Sequence, residues 1–405
     1  MQNLESQISE ETNSIAIDSL GQPNHDEATR QAFVAKMRKV IMSDMAEEMR
    51  SVYETCLEPY IVANSSNTKT GETRIRQAME DLNYYRFWSS MRYNAQEMVW
   101  SSVSDQVERD LGYMIDTAEA AYLNSFSGGT LRLDPTLEIP KSISSLDIHL
   151  MPGCFHSELT SGDVAVGAVY ARGTSVFSGG LRKKDNKGKG GVADSVGHYL
   201  SLKDPNFKPK RILDLGCTIG SNLLPFKKCY PEAELYGIDA GAPVLRYAHA
   251  RADSMGVCAN FSQQNAENLD FADGMFDLVI SSFFFHEISV SSTKKIMKEI
   301  YRVLSPGGIT VHMELPPANM VDDYYNFFLD WDAYHNHEPH YKAFRQQDPV
   351  DLLRQGGFCK KNCGLIRIPD RGGVTDAEFA AVVNGKGEAP KHSNFSSYYL
   401  FLGSK

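Results

Sequence analysis

The sequence has no C-x-x-C pair, no run of apolar residues long enough to span a bilayer and no surplus of basic charge. Seven cysteines, Cys56, Cys154, Cys217, Cys229, Cys258, Cys359 and Cys363, are scattered at irregular spacing over 405 residues. An odd number without pairing excludes a complete disulfide framework and fits reduced thiols. The opening Met1 to Ser6 shows no basic head before an apolar core, so no secretory leader is expected. With no apolar stretch of about 20 residues, no helical membrane span is expected either. The expectation is a soluble, cytoplasmic protein. Lys and Arg number 41 against 51 Asp and Glu, a net charge of −10. That is the wrong sign for a surface that neutralises phosphates, and nucleic acid is not expected as a partner. The one basic run, Arg182 to Lys189, is interleaved with glycine and reads as a solvated loop.

What is present is organised around Arg211 to Glu314. Ile212-Leu213-Asp214-Leu215-Gly216-Cys217-Thr218-Ile219-Gly220 is a short apolar run followed by glycines, the pattern of a buried parallel strand entering a tight turn. A helix from Ser221 to Lys227 is expected after it. Gly216 permits a backbone that other residues avoid, and Gly220 lets the main chain approach a ligand. Nineteen residues past Gly220 stands Asp239, closing a second apolar run, Leu235-Tyr236-Gly237-Ile238. There its carboxylate can accept hydrogen bonds from both hydroxyls of a ribose. The spacing points to a nucleoside cofactor. It is not the G-x-G-x-x-G of a dinucleotide fold, because an acid precedes the first glycine and a third glycine is lacking.

Asp214-Leu215-Gly216-Cys217-Thr218-Ile219-Gly220 resembles motif I of the class I S-adenosylmethionine (SAM) dependent methyltransferases, usually written with glycine where Thr218 stands. Gly237-Ile238-Asp239 then looks like the ribose-binding acid, and Asn265-Ala266-Glu267-Asn268-Leu269 like the adenine loop. Gly274 to Ser281 looks like the fourth strand, and Arg302-Val303-Leu304-Ser305-Pro306-Gly307-Gly308 like the helix exit before the fifth. The resemblance covers about half the chain. It implies SAM as cofactor, held by Asp214, Gly216, Cys217, Gly220, Asp239, Ala240, Asn265, Ala266, Glu267 and Ser281, with Tyr170 closing over it. It also implies an α/β fold: a seven-stranded doubly wound sheet, mostly parallel with its last strand antiparallel. Asn362 to Ile368 and Phe395 to Gly403 match the closing hairpin.

Residues 1–25 read as a loose tail, 26–190 as a mainly helical substrate or dimerisation region, and 191–405 as the SAM-binding domain. Apolar residues from Phe33 to Tyr53 recur every three or four positions, which predicts one amphipathic helix ending before Pro59. After a polar link, Asn64 to Gly71, a second helical stretch with a break is expected from about Thr73 to Asn124. It carries Tyr84, Tyr85, Phe87, Trp88, Tyr93, Trp100, Tyr113 and Tyr122. These aromatics can form a helical core, a homodimer interface or an acceptor pocket. Leu131 to Leu150 reads as extended chain. Pro316-Pro317 opens a lid insertion over about 317–348, at the carboxyl end of the sheet where such folds bind ligands.

Ser281-Ser282-Phe283-Phe284-Phe285-His286-Glu287 places an imidazole and a carboxylate at the open end of the fourth strand. His286 is expected as base or acceptor-positioning group and Glu287 as its partner; the alternative is a histidine that only packs beside the cofactor. A working imidazole would impose a base limb near pH 6.5. Phe285, Tyr324, Trp331, Tyr334 and His335 are expected to contact the acceptor. No metal is expected. Cys154-x-His156 is not a common zinc spacing, and His335-x-His337-x-x-His340 is an irregular loop pattern containing Pro339. The Asn/Asp-Pro-Pro-Tyr motif of exocyclic-amine methylation is replaced by Ser281-Ser282-Phe283-Phe284, so the expected acceptor is an O or N atom of a small aromatic or hydrophobic metabolite. A SAM-binding protein with a non-methylating role and a protein methyltransferase remain the alternatives.

Overall fold

The computed structural model describes residues 16–63, 71–178, 190–391 and 396–405. The tail before Ala16, the polar link at 64–70 and the basic run Arg182 to Lys189 lie outside the described residues. Among the described residues, eight strands form one sheet in the order β1-β4-β3-β2-β5-β6-β8-β7. They are β1 (Thr130–Arg132), β2 (Arg211–Leu215), β3 (Glu234–Asp239), β4 (Ala259–Gln263), β5 (Phe276–Ser282), β6 (Leu304–Glu314), β7 (Cys363–Pro369) and β8 (Ser397–Ser404). All pairs from β1 to β6 are parallel, and β8 runs antiparallel to both β6 and β7. β2 to β5 carry mostly buried side chains on both faces, as a sheet covered on both sides requires. Strand order reverses between β2 and β5, and that reversal opens a crevice at their carboxyl ends.

The sheet departs from the sequence reading in having eight strands rather than seven. The extra one is β1, from the segment read as plain extended chain. Three residues with an exposed, half-buried, exposed pattern give no alternation to recognise; only pairing with β4 makes them a strand. The helix expected at Ser221 to Lys227 is also corrected: turns follow Gly220, and the helix spans only Phe226–Cys229.

The N-terminal helix His25–Lys39 opens on a capping box from Asn24 and Glu27. It continues through wide turns at Val40–Asp44 and Tyr53–Leu57 into Glu58–Ala63, so it does not end before Pro59. Pro59 lies inside this continuous run, directly after the wide turn at Tyr53–Leu57, and has no N–H to donate to the preceding turn. Gly71–Glu80 and the 41-residue helix Asn83–Leu123 follow, broken at Asp81 and Leu82. The long helix buries Trp88, Arg92, Ala95, Val99, Val103 and Val107, a three-to-four residue stripe. Tyr93, Tyr113 and Tyr122 lie exposed on it. Among the described residues, no helix is long and apolar enough to cross a membrane.

The insertion after β6 is helical, not an irregular loop: Asp323–His335 is capped by the Asp322 side chain, which accepts from Tyr325 N. This lid helix joins the N-terminal helices through stacked indoles. Trp88 and Trp331 have ring centroids 3.5 Å apart at 14°, and Trp88 Nε1 donates to Ile41 O at 2.9 Å. Both rings are fully buried. Trp88→Ala should therefore destabilise the fold by about 3–5 kcal/mol, measured by denaturant unfolding. A loss below about 1 kcal/mol would mean that the lid does not lean on this stack.

Candidate active site

β2 runs into a turn in which Gly216, Thr218 and Gly220 have φ of +67°, +46° and +73°. A β-branched residue seldom adopts such a backbone. Thr218 is held there by its amide, which donates to Asp239 Oδ2 at 3.0 Å. Asp239 Oδ1 accepts from Gly241 N at 3.0 Å. One carboxylate thus braces both the glycine turn and the start of the next helix. Each oxygen keeps a second acceptor position, the donor set that a ribose diol needs. A β-carbon on Gly216 would come within 2.4 Å of the Phe284 ring, so packing as well as φ demands glycine. Burial pushes Asp239 up to about 6 against the pull of the Gly241, Thr218 and Ala240 amides. Burial, then the Asp239 charge, holds Asp214 well above the usual carboxylate range. Burial likewise raises the Cys217 thiol well above its ordinary value, and takes that of Cys154 up to about 11. Neither thiol is suited to nucleophilic work.

From this turn a cavity of about 480 Å³ extends beneath the lid helix. Asp214, Gly216, Cys217, Asp239, Ala240, Asn265, Ala266, Glu267 and Tyr170 line it, which brings together nine of the eleven residues expected around the cofactor. Gly220 and Ser281 lie behind the wall. Gly220 packs on Leu224 and Phe261, and the Ser281 hydroxyl is 2.8 Å from His312 Nδ1.

The other end of the cavity holds a buried cluster of two imidazoles and three carboxylates. Phe283, at φ +55°, turns the chain after β5 into the single helical turn Phe285–Glu287. His286 Nδ1 lies 2.6 Å from Glu314 Oε2, and Glu314 Oε1 accepts from Phe285 N at 2.6 Å. His149 reaches in from a strained segment at φ +58°, with its carbonyl accepting from Trp100 Nε1 at 2.7 Å and Gln96 Nε2 at 2.9 Å. Its Nε2 is 2.8 Å from Glu287 Oε1, and its Nδ1 is 3.2 Å from Glu338 Oε1. Burial opposes protonation of His149, yet Glu287 and Glu338 carry it up to about 10. Burial is likewise overridden at His286, where Glu314 and then Glu287 hold the ring well above the usual imidazole value. Against its own burial, Glu287 is kept below the usual carboxylate range by His149 and His286. Against the base limb expected near pH 6.5, the carboxylates around His286 shift its titration upward.

Of the residues expected to meet the acceptor, Phe285, Tyr324, Trp331, Tyr334 and His335, the cavity is lined by none. Phe285 is buried against Phe344, His312 and Phe401 beside the sheet. Tyr324 and Trp331 lie in the N-terminal helical core, His335 packs on Trp331, and Tyr334 is 71% exposed. Because the lid is a helix, its faces separate by period. Tyr324, Phe327 and Trp331 form the core stripe, while Tyr325, Phe328, Leu329, Asp332 and Asn336 face the cavity. Sequence reasoning missed that second stripe, and also His149, Glu314 and Glu338. A carboxylate closing β6 was the available signal for Glu314.

Residues 212–308 match the protein family described as "Methyltransferase domain". The demethylmenaquinone methyltransferase of Thermus thermophilus is 40% identical over 109 residues, 27% of this chain and 49% of that protein. The ajmaline N-methyltransferase of Rauvolfia serpentina is 28% identical over 178 residues, 38% of this chain and 60% of that protein. The chain spans about half the length of the curated relatives it matches. Among solved structures, Haemonchus contortus phosphoethanolamine N-methyltransferase 2 with S-adenosyl-L-methionine aligns at 16% identity and TM-score 0.36, covering 57% of this chain and 58% of that one.

An Asp239 that accepts from a ribose diol would make cofactor binding sensitive to pH. Its ionised form is the better acceptor for two hydroxyls, and its folded value of about 6 is raised above the usual carboxylate range. S-adenosylhomocysteine affinity should therefore be flat above neutrality and fall as pH drops through about 6. The same raised value has the opposite sign for the ligand-free fold. Its contribution to stability is present at low pH and lost as pH rises through about 6. Calorimetric titration between pH 5 and 8 checks this, and in Asp239→Asn the affinity curve should flatten. An unchanged curve in that variant would remove Asp239 from the site.

Proposed function

We propose that this chain, whose residues 212–308 match a methyltransferase-domain family, uses SAM to methylate an oxygen or nitrogen atom of a small, hydrophobic or aromatic metabolite. One feature carries the reading: a single cavity joins the Asp239 turn to a buried His and Glu cluster beneath an aromatic lid. When bound, SAM supplies an electrophilic methyl group. Asp239 would hold the ribose hydroxyls, the 265–267 turn the adenine, and Asp214 with Gly216 the amino-acid end. The donor set and the cavity volume, within the roughly 300–1,000 Å³ of small-molecule sites, support that assignment.

The acceptor would lie against Phe283, Phe284, Tyr325, Phe328 and Leu329, which supply an apolar wall and exclude water. Positioning provides most of the rate enhancement in such a displacement. The residual problem is the acceptor's proton. Glu287 has a buried oxygen, Oε2, without a hydrogen-bond partner. As an acceptor oxygen gains a methyl group its proton becomes strongly acidic, so even a carboxylate of depressed basicity accepts it. His286, clamped by Glu314, holds Glu287 in place. This exchanges the roles expected from the sequence: the carboxylate takes the proton and the imidazole positions it.

Methyl-labelled SAM, incubated with the protein and a metabolite extract, should yield a labelled small molecule. On that acceptor, Glu287→Gln should lower kcat by about 10²–10⁴ with S-adenosylhomocysteine affinity retained. Phe328→Ala should mainly raise KM. Tyr334→Ala, at the surface, should change neither by more than about twofold. Cofactor binding without any labelled product would favour a non-methylating role, and a labelled polypeptide would favour a protein acceptor.

A further inference from the structure

The cluster at the lid end contains more negative charge than its own imidazoles balance. Among the described residues, the imidazoles paired with Glu287, Glu314 and Glu338 are those of His149 and His286, and every one of the five side chains is at least 80% buried. A buried, uncompensated carboxylate is costly, so such an excess calls for another cation. We propose that His286, Glu287 and Glu338 bind a divalent first-row transition-metal ion. One donor atom from each, the imidazole nitrogen and two carboxylate oxygens, lies within 4.8 Å of the others.

Two further observations separate this triad from an ordinary ion-pair cluster. The first is the orientation of His286. Its Nδ1 is engaged by Glu314 at 2.6 Å, which leaves Nε2 directed to Glu287 Oε1 at 3.4 Å and Glu338 Oε2 at 4.0 Å. A carboxylate behind the far nitrogen is the usual support of a metal-bound histidine, because it fixes the tautomer and the ring plane. The second is the spacing. A separation of 3.4 Å is long for a hydrogen bond and matches neighbouring ligands on a tetrahedral ion with bonds of about 2.1 Å. Glu338 Oε2, at 4.0 Å, would need to close on His286 by about 0.6 Å.

The carboxylates also have oxygens to spare. Glu338 uses Oε1 for His149 and Asn336, leaving Oε2 toward His286. Glu287 Oε2 and the buried Asn336 Oδ1 have no hydrogen-bond partner. One imidazole with two carboxylates suits manganese, iron or zinc better than magnesium or calcium, which favour all-oxygen sites. The triad borders the cavity, so the ion would take an oxygen of the acceptor and make its proton acidic. That use rests on the methyl-transfer reading; binding of the ion does not.

The test is calorimetric titration of the full chain, dialysed against chelator, with manganese chloride and separately with zinc chloride, together with manganese electron paramagnetic resonance. One site per chain is expected. Glu287→Gln, Glu338→Gln and Glu314→Gln should each weaken it at least about 10-fold. Glu97→Gln, at an exposed carboxylate of the long helix, should stay within about twofold. S-adenosylhomocysteine affinity, measured on every variant, shows that each one is folded. Absence of binding up to millimolar metal, or a site that survives all three glutamine substitutions, would overturn the proposal. If the wild-type chain binds S-adenosylhomocysteine but no metal, this inference falls and the methyltransferase reading stands. If it binds metal but not S-adenosylhomocysteine, the reverse holds.

Discussion

Glu314 closes β6 at 2% exposure, and a carboxylate so placed must be compensated on both oxygens or it destabilises the fold by several kcal/mol. The Phe285 amide meets one oxygen and the His286 ring the other. Much of the site follows from that pair of contacts. They fix the turn after β5, and the turn in turn sets Glu287 against His149. Strands β5 and β6 are neighbours, so the compensation is built across the sheet's own register, where Ser281 pairs with His312 and Ser282 with Met313. The sheet thereby positions a charged cluster at the edge of its ligand crevice.

This arrangement draws distant parts of the chain together. His149 is held by Gln96 and Trp100 from the long N-terminal helix, and Glu338 arrives just beyond the lid helix. The lid is itself fastened to the N-terminal helices by the Trp88 and Trp331 stack and by Arg92 with Asp332 at 2.6 Å. Arg92 is almost wholly buried, so its charge depends on that partner. The helical region therefore shapes the cluster end of the cavity, while the sheet shapes the end at the Asp239 turn.

The nucleoside end was readable because its determinants are local. A glycine turn after an apolar run, and an acid at the end of the next, define their geometry within about 30 residues of chain. Even the departure at Thr218 becomes intelligible: the position requires φ of +46°, which glycine meets freely and threonine meets with help from Asp239. The His and Glu cluster was not readable, because its members come from positions 149, 286–287, 314 and 338 and meet only in three dimensions. In the lid the residue types were seen but the wrong face was chosen. Reading a loop where Asp322 caps a helix concealed the period that separates Trp331 from Phe328. β1 was too short to show any alternation, and partner pairing alone identifies it.

The most direct measurement is a crystal structure of the protein with S-adenosylhomocysteine. The account predicts the ribose on Asp239, the adenine against residues 265–267, and the sulfur facing His286 and Glu287 with open cavity between them and Phe328. A ribose held elsewhere, or a sulfur directed away from the His286 and Glu287 end, would contradict it.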